Sequence, residues 1–487
     1  MKQQDVDIIL VRPGEQSMRA FKKIGAVQHP MNLVYLATWL REHGHTSEIA
    51  DLEVEPFSHL EERLKLARPS LVGISAITPN IPEAKSICVF AHSLGVKTVL
   101  GGVHPTVMPN ETLQDTGCDY VVIGEGEKPL DNLLRAIKEG HPIESIKGIA
   151  FWRNGLPVVN KRPELINLDE LPLPDRRFLK LDLYRGETTP GVLGRAATVF
   201  TSRGCPYACT FCASNVVNRG RIRFRSMEKI FDEIEDIAAL GFKHLTVEDD
   251  TFTLRSDRVR EFCQYLYRKH PQLSWDCDSR VDTVDDELLS LMKVSNCKKI
   301  AFGVESGSPR VLKSINKNID INQVKDAFRL TKRHKILSQA FFMIGFPEET
   351  SQDVAATIEL ISEIKPDFLF VSVAVPYPGT ALHDYMSRRG FLAIRDWGSF
   401  VFFGDNVPWH TEHFSSDDLV RIRKKISRDF YFRPSYILTR LLRVRNLREM
   451  LYLIRGAVVA FKSFSPSLSG MTRRWMLRKP AKSEGKW

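Results

Sequence analysis

The sequence predicts an α/β protein with two parallel-sheet domains and a basic helical extension behind them. Short β-rich runs alternate with helical periodicity over most of the chain, a proline-rich stretch near residue 172 interrupts the alternation once, and positive charge gathers in the C-terminal tail. At 487 residues, with 43% hydrophobic and 26% charged residues, the chain is long enough for three domains that each bury a core. The expected divisions are residues 1–145, a hairpin and linker at 146–190, a second domain at 191–390 and the tail at 391–487.

The first domain reads in order as a strand at 8–11, a helix at 33–42, a strand at 48–51, a helix at 60–66, a strand at 71–74, a helix at 83–94, strands at 98–100 and 120–123, and a helix at 130–138. That is an open doubly wound domain, whose ligand belongs beyond the carboxyl ends of the strands. Those ends are loops of small or polar residues: Ser75-Ala76-Ile77-Thr78-Pro79-Asn80, Gly101-Gly102-Val103-His104-Pro105-Thr106 and Gly124-Glu125-Gly126-Glu127. Glycine there lets the backbone approach a large flat ligand closely. The GxGxxG pattern of dinucleotide sites is absent. Two β-rich runs at 149–153 and 156–159 flank Asn154-Gly155, a hairpin signal, and Pro172 and Pro174 then stiffen a connection to the next domain.

The second domain opens with the apolar run Ala197-Thr198-Val199-Phe200 and continues as strand and helix pairs at 242–248 and 256–269, 273–278 and 285–293, 299–303 and 321–334, and 337–344 and 350–364, with a last strand at 367–375. Six units of this kind imply a parallel sheet.

Between the first two strands of this domain lies Arg203-Gly204-Cys205-Pro206-Tyr207-Ala208-Cys209-Thr210-Phe211-Cys212, three thiols spaced CxxxCxxC. A closed structural zinc site needs four donors, and no second CxxC pair or HxxxH partner lies near. A [4Fe–4S] cluster on three thiolates instead leaves one iron open to bind and reduce something. The other cysteines, Cys88, Cys118, Cys263, Cys277 and Cys297, have no pairing spacing and read as buried small hydrophobes in a reducing compartment. Met1-Lys2-Gln3-Gln4-Asp5 shows no signal-peptide pattern and no apolar run reaches spanning length, so a cytoplasmic setting is expected.

The cysteine loop and the strand ends behind it resemble the radical S-adenosylmethionine superfamily, whose fold is a partial (β/α)6 barrel with its chemistry at the C-terminal mouth. By that resemblance Cys205, Cys209 and Cys212 hold the cluster and S-adenosylmethionine chelates the open iron. Glu248, Asp249 and Asp250 stand where the family meets the methionyl ammonium, and Ser279 and Arg280 where a cation faces the methionyl carboxylate. Glu305 of Gly303-Val304-Glu305-Ser306-Gly307 falls on the ribose side, Ile344 and Gly345 of Phe342-Met343-Ile344-Gly345-Phe346-Pro347 on the adenine side, and Phe211 is counted with the same contacts.

The glycine loops of the first domain, with Arg12-Pro13 and Pro30-Met31-Asn32-Leu33-Val34-Tyr35-Leu36-Ala37, resemble the cobalamin-binding domain of cobalamin-dependent radical enzymes. The resemblance puts Ser75, Thr78, Gly101, Gly102, His104, Gly124, Glu125 and Gly126 around a corrin. The DxHxxG signature that supplies an axial histidine elsewhere is missing, and Glu42-His43-Gly44-His45 has the wrong spacing, so no histidine from that motif is expected on cobalt. The family chemistry this implies is hydrogen abstraction by a 5′-deoxyadenosyl radical followed by methyl transfer from methylcobalamin to an unactivated carbon. The oxidative cyclase branch, which does not transfer methyl, is the alternative. A cobalamin or iron–sulfur sensor binding nucleic acid is the alternative outside enzymes, although no helix-turn-helix or RNA-binding signature supports it. Implied partners are an organic substrate, lipid-like or a secondary-metabolite precursor, and an electron donor such as flavodoxin or ferredoxin.

From residue 421 to the end, 18 Lys and Arg face three acidic residues, a balance of +15 against +10 for the whole chain. Arg440, Arg443, Arg445 and Arg448 interleave with Leu441, Leu442, Leu447 and Leu451. Such a segment suits an anionic membrane surface, nucleic acid, an acidic electron donor or a packed cap with a solvated basic rim.

Overall fold

The computed structural model describes residues 6–14, 27–184, 196–392 and 397–442, with isolated positions 444, 450 and 454. The chain divides into two compact units, residues 1–423 and 424–487.

Within the first unit a seven-stranded sheet comes first: β1 (Ile8–Arg12), β2 (Ser47–Asp51), β3 (Leu71–Ser75), β4 (Lys97–Gly101), β5 (Tyr120–Val122), β6 (Ile149–Arg153) and β7 (Leu156–Val159), in the order β2-β1-β3-β4-β5-β6-β7. The first five strands in that order are parallel. Burial on both faces is why β1 reads Ile-Ile-Leu-Val without alternation. Ile8 and Leu10 enter a core under the helices Met31–Glu42 and Glu127–Glu139, while Ile9 and Val11 enter a second core under Ile81–Ser93.

The hairpin expected in the linker instead belongs to this sheet, since β6 runs antiparallel beside β5 and β7 beside β6. Asn154 and Gly155 both take positive φ, 51° and 76°, as a tight primed turn requires. The expected division at residue 146 therefore cuts through one sheet. The helices Val103–Val107 and Pro109–Thr116 were not legible in the sequence, being short and each carrying a proline.

A second sheet contains β8 (Ala196–Val199), β11 (His244–Val247), β12 (Ser274–Ser279), β13 (Cys297–Glu305), β14 (Leu337–Ile344) and β15 (Phe368–Val373), all parallel and in sequential order. This is the partial barrel. Between β8 and β11, the short strands β9 (Ser202–Arg203) and β10 (Arg223–Phe224) pair antiparallel and close off the cysteine loop. Several barrel helices start at the mouth on a side-chain cap, with full capping boxes at Asp320 and Thr350.

The proline-rich connection is pinned at both ends. Asp175 accepts from Arg41 Nη1 at 2.5 Å and Tyr184 Oη donates to Asp51 at 2.6 Å. Fully buried Arg176 donates to the Thr198 carbonyl at 2.6 Å and pairs with Glu233, which also takes Arg225. These contacts fix the first sheet against the start of the barrel.

Within the second unit, the helix Pro434–Leu442 exposes Ile437, Leu438, Leu441 and Leu442. The expectations for Arg443, Arg445, Leu447, Arg448, Leu451 and the apolar stretch to Phe461 lie outside the described residues. Among the described residues no helix is long and apolar enough to cross a membrane.

Candidate functional site

The cysteine loop leaves β9 at Gly204, where φ is +96° and an added Cβ would stand 2.1 Å from the Arg221 carbonyl oxygen. Only glycine fits. Two other segments clasp the turn through three bonds: Thr210 N donates to the Ile315 carbonyl at 3.0 Å, Asn316 Nδ2 to the Ala208 carbonyl at 2.9 Å, and Leu382 N to the Thr210 carbonyl at 2.9 Å. Phe211 packs on Phe346, with ring centroids 5.9 Å apart. Cys205, Cys209 and Cys212 are free and half-exposed. Burial raises the Cys209 thiol against the pull of Lys317 and Arg280, and pushes Cys212 up to about 11.

Sulfurs around one zinc ion, at about 2.3 Å from it, would crowd together. Among the described residues no three ligating side chains converge in that way, although these thiols are near enough to perturb one another. Three thiols on one loop are one donor short of a closed zinc site and match the three thiolates of a [4Fe–4S] cluster with an open iron.

Around this loop the polar groups of the strand ends differ in burial and in how many partners they hold. Asp249, buried, accepts from Thr201 N at 2.6 Å, from Ser202 N at 3.2 Å and from the Ser202 hydroxyl at 2.6 Å, and the Thr201 hydroxyl adds a fourth bond. It ties β11 to the chain after β8 and has no capacity left for an ammonium group. Asp250 is exposed and takes the Ser214 hydroxyl, two residues past Cys212. Glu248 lies half-exposed on the inner face and takes the Gln28 amide. Ser279 spends its hydroxyl on Thr253 and Thr283. Arg280 pairs with Asp282 at 2.9 Å, donates to the Lys317 carbonyl at 2.9 Å, and lies 3.7 Å over the ring of Tyr207 in the cysteine loop. Glu305, with φ +70°, forms a buried pair at 2.8 Å with Lys317, a residue the sequence reading missed. Ile344 is buried, and Gly345 N donates to buried Glu349, whose carboxyl burial pushes up to about 7.

At the carboxyl ends of β1, β3, β4 and β5 lies a cavity of about 240 Å³. Ser75, Gly101, Gly102, Gly124, Glu125 and Gly126 line it, together with Asn32, Tyr35, Leu36, and Phe200 and Arg203 from the barrel. No histidine, cysteine or methionine is in this lining. A broad, glycine-paved, mainly apolar cleft fits a corrin bound without a protein nitrogen or sulfur on its metal.

Thr78 and His104 are not in the lining. They meet behind the loop, Nδ1 to Oγ1 at 3.2 Å, and the His104 ring lies 5.0 Å from Trp397. Burial holds His104 down to about 4, so it packs as a neutral ring. Glu125 borders the cavity, but its carboxylate goes to Arg203 at 2.8 Å, Arg223 at 2.9 Å and Ile166 N at 2.9 Å. Arg203 also pairs with Glu127 at 2.8 Å and lies 5.6 Å over the Tyr35 ring. The signal for these contacts is faint in sequence, since a lone arginine ahead of a cysteine loop reads as solvated.

Residues 199–361 match the Radical SAM superfamily and residues 20–134 the B12 binding domain. The chain is 33% identical over 440 residues to the uncharacterized methyltransferase PH0819 of Pyrococcus horikoshii, covering 88% of this chain and 94% of the relative. It is 28% identical over 398 residues to the anaerobic magnesium-protoporphyrin IX monomethyl ester cyclase of Rubrivivax gelatinosus, covering 78% and 70%. The fold is similar to that of the radical S-adenosylmethionine methyltransferase TsrM from Kitasatospora setae, solved with cobalamin and a [4Fe–4S] cluster, at TM-score 0.70, 17% identity and coverage of 94% and 98%.

Proposed function

Because the chain belongs to the cobalamin-binding branch of the radical S-adenosylmethionine superfamily, we propose that it is a methyltransferase acting on an unactivated carbon. The observation that carries this reading is the junction of two sites through one residue. Arg203 lines the cavity of the first sheet and stands two positions before Cys205. When bound, the cluster with S-adenosylmethionine supplies a radical able to take hydrogen from carbon, and cobalamin supplies the methyl group.

The protein's own residues position these groups. Cys205, Cys209 and Cys212 offer the three thiolates, and Asp250, Arg280 and Lys317 surround the loop with charge of both signs. Gly101, Gly102, Gly124 and Gly126 keep the cavity floor flat. Phe200 and Tyr35 line the cleft with aromatic surface, which limits water between the two sites.

The enzyme needs a reductant and an organic substrate. We also infer a peripheral membrane contact, supported by the exposed leucines beside Arg440 and by the charge of the tail.

The test is incubation of the reconstituted enzyme with a reductant, methyl-labelled S-adenosylmethionine and a small-molecule extract. Release of 5′-deoxyadenosine together with label in a product is expected. Release without label in any product would favour the oxidative cyclase reading, which the likeness to the Rubrivivax gelatinosus protein supports. No release with the cluster intact would remove the radical reading altogether.

A further inference from the structure

The inner face of the barrel is open, and its two halves differ in chemistry. Outward residues are sealed under helices: Trp275 lies 5.6 Å from Phe252 and 5.3 Å from Phe262, and Phe302 lies 5.3 Å from Phe328. Their neighbours in sequence turn the other way and meet water. β14 alternates half-exposed Gln339, Phe341 and Met343 with buried Ala340 and Phe342, and Asp278 is exposed between buried Cys277 and Ser279.

On β11 and β12 the inner face is acidic. Low in the barrel, Asp276 is occupied by His244 Nε2 at 3.1 Å and Lys299 Nζ at 3.5 Å. Just beyond the last paired residues, Val247 and Cys277, come Glu248 and Asp278, near enough for Asp278 to raise the Glu248 carboxyl. Glu248 holds the Gln28 amide, Asp278 makes no hydrogen bond or ion pair among the described residues, and Lys299, paired with Asp276 below them, is the one cation whose charge reaches both among the described residues. Thr246 faces the same side, and its buried Oγ1 has no hydrogen-bond partner among the described residues.

On β14 and β15 the inner face is aromatic. Phe341 and Phe370 stand 5.7 Å apart, and Phe403 lies 6.0 Å from Phe370. Between the two walls, β13 contributes Lys299 low in the barrel, then the small residues Ala301 and Gly303, with the Glu305–Lys317 pair lying over Gly303.

We propose that this chamber takes a substrate joining a flat apolar body to a protonated amine, with the body on Phe341 and Phe370 and the ammonium between Glu248 and Asp278. The proposal rests on the reading of the barrel as the catalytic chamber and names the class of molecule that enters it. Stacking and edge contacts favour a flat body on the aromatic wall. An ammonium donates charge-assisted hydrogen bonds to both carboxylates and relieves their mutual repulsion. Burial and then the charge of Asp278 raise the Glu248 carboxyl to about 8, and a cation between the two relieves that repulsion. A carboxylate on the same body would be repelled.

S-adenosylmethionine is itself a cation, so the test keeps it saturating. The holoenzyme, loaded with cluster and cobalamin, is titrated with naphthylethylamine, naphthylethanol and naphthylpropionate, and binding is followed by naphthyl fluorescence. The amine is expected to bind about tenfold or more tighter than the alcohol, the scale of one charge-assisted hydrogen bond, and the propionate weakest. Asp278→Asn should erase the preference, and Phe341→Leu should weaken all three probes alike. Equal binding of the three, no saturable binding of the amine, or its displacement by S-adenosylmethionine would overturn the proposal. Release of 5′-deoxyadenosine without any probe separately tests the radical chemistry of the barrel, so the two failures are distinguishable.

Discussion

Glu248 and Asp249 are adjacent at the end of β11, and the pleat sends them to opposite sides. Asp249 accepts four hydrogen bonds from Thr201 and Ser202. Its replacement by alanine leaves buried donors unsatisfied, so a loss of roughly 2–4 kcal/mol and a lower Tm are expected. Calorimetry checks the first effect, and titration with S-adenosylmethionine should find the affinity of the folded protein unchanged. An unchanged Tm with weakened binding would return Asp249 to the cofactor. Glu248 behaves differently, because burial and then Asp278 raise its carboxyl from 4.5 to about 8. The folded state thus keeps a proton that the unfolded chain gives up, and the stability linked to it is present at low pH and lost as pH rises through about 8. Glu248→Gln fixes the neutral form. It is expected to melt with the parent protein near pH ~4.5 and above it beyond pH ~8, and a melting difference that does not change with pH would contradict this.

At the scale of elements, the loops of the first sheet make a separable prediction. Gly102 has φ +109° and a Cβ there would meet the Ala76 carbonyl oxygen at 2.5 Å, while a Cβ on Gly126 would press Leu36 of the cavity wall at 3.0 Å. Gly126→Val should therefore lose cobalamin, seen in the absorbance of the bound pigment, with iron content unchanged. Stoichiometric cobalamin in that variant would move the site elsewhere. The helix Pro434–Leu442 makes a second, with Leu438 59% and Leu442 77% exposed. Interfacial binding would bury those leucines and set Arg440 against anionic headgroups, each such charge being worth about 1 kcal/mol and screened by salt. Sedimentation with anionic vesicles at low salt is expected, and loss of it in Leu438→Glu. Absence of binding in the parent protein would leave the tail as a docking face or cap.

Elements such as these were legible because each strand and helix pair carries its own period. β14 at Leu337–Ile344 and the helix Ser256–Lys269 fall on the ranges the pattern gives. The hairpin turn was equally local, but its sheet partner β5 was not, which is why it looked like a linker. The thiol spacing was legible for the same reason. Lys317 and Arg203 were not, because their partners Glu305, Glu125 and Glu127 lie far away in sequence or beyond a turn, and a charge looks solvated until the fold pairs it. Asp249 and Asp250 could not be told apart without the register, and His104 looked like a cleft residue because its contacts with Thr78 and the distant Trp397 exist only in the fold.

At the scale of the whole first unit, the chemistry proposed here needs two sites held at a fixed separation, and the seam that fixes it is ionic. Arg203 and Arg223 of the barrel converge on Glu125, Arg203 also reaches Glu127, and the Tyr35 ring lies under Arg203 at 5.6 Å and Arg225 at 5.9 Å. Burial works against ionised Glu125, yet the two guanidinium groups win and hold its carboxyl below the ordinary value. Removing one partner strands the others in a half-buried place, so Arg203→Gln should cost between the ~1 kcal/mol of an exposed pair and the ~3–5 kcal/mol of a buried one. Glu125→Gln should fall in the same range. If the seam acts as one unit, the double variant will be less destabilised than the sum of the singles, by more than about 0.5 kcal/mol in a thermodynamic cycle. Because Arg203 borders the cavity and leads into the cysteine loop, its loss should also change the absorbance of bound cobalamin while the cluster remains assembled. Additive stabilities with unaltered cobalamin spectra would mean that the two sites are positioned by the linker contacts of Arg176 and Tyr184 instead, and that the arginine seam is only packing.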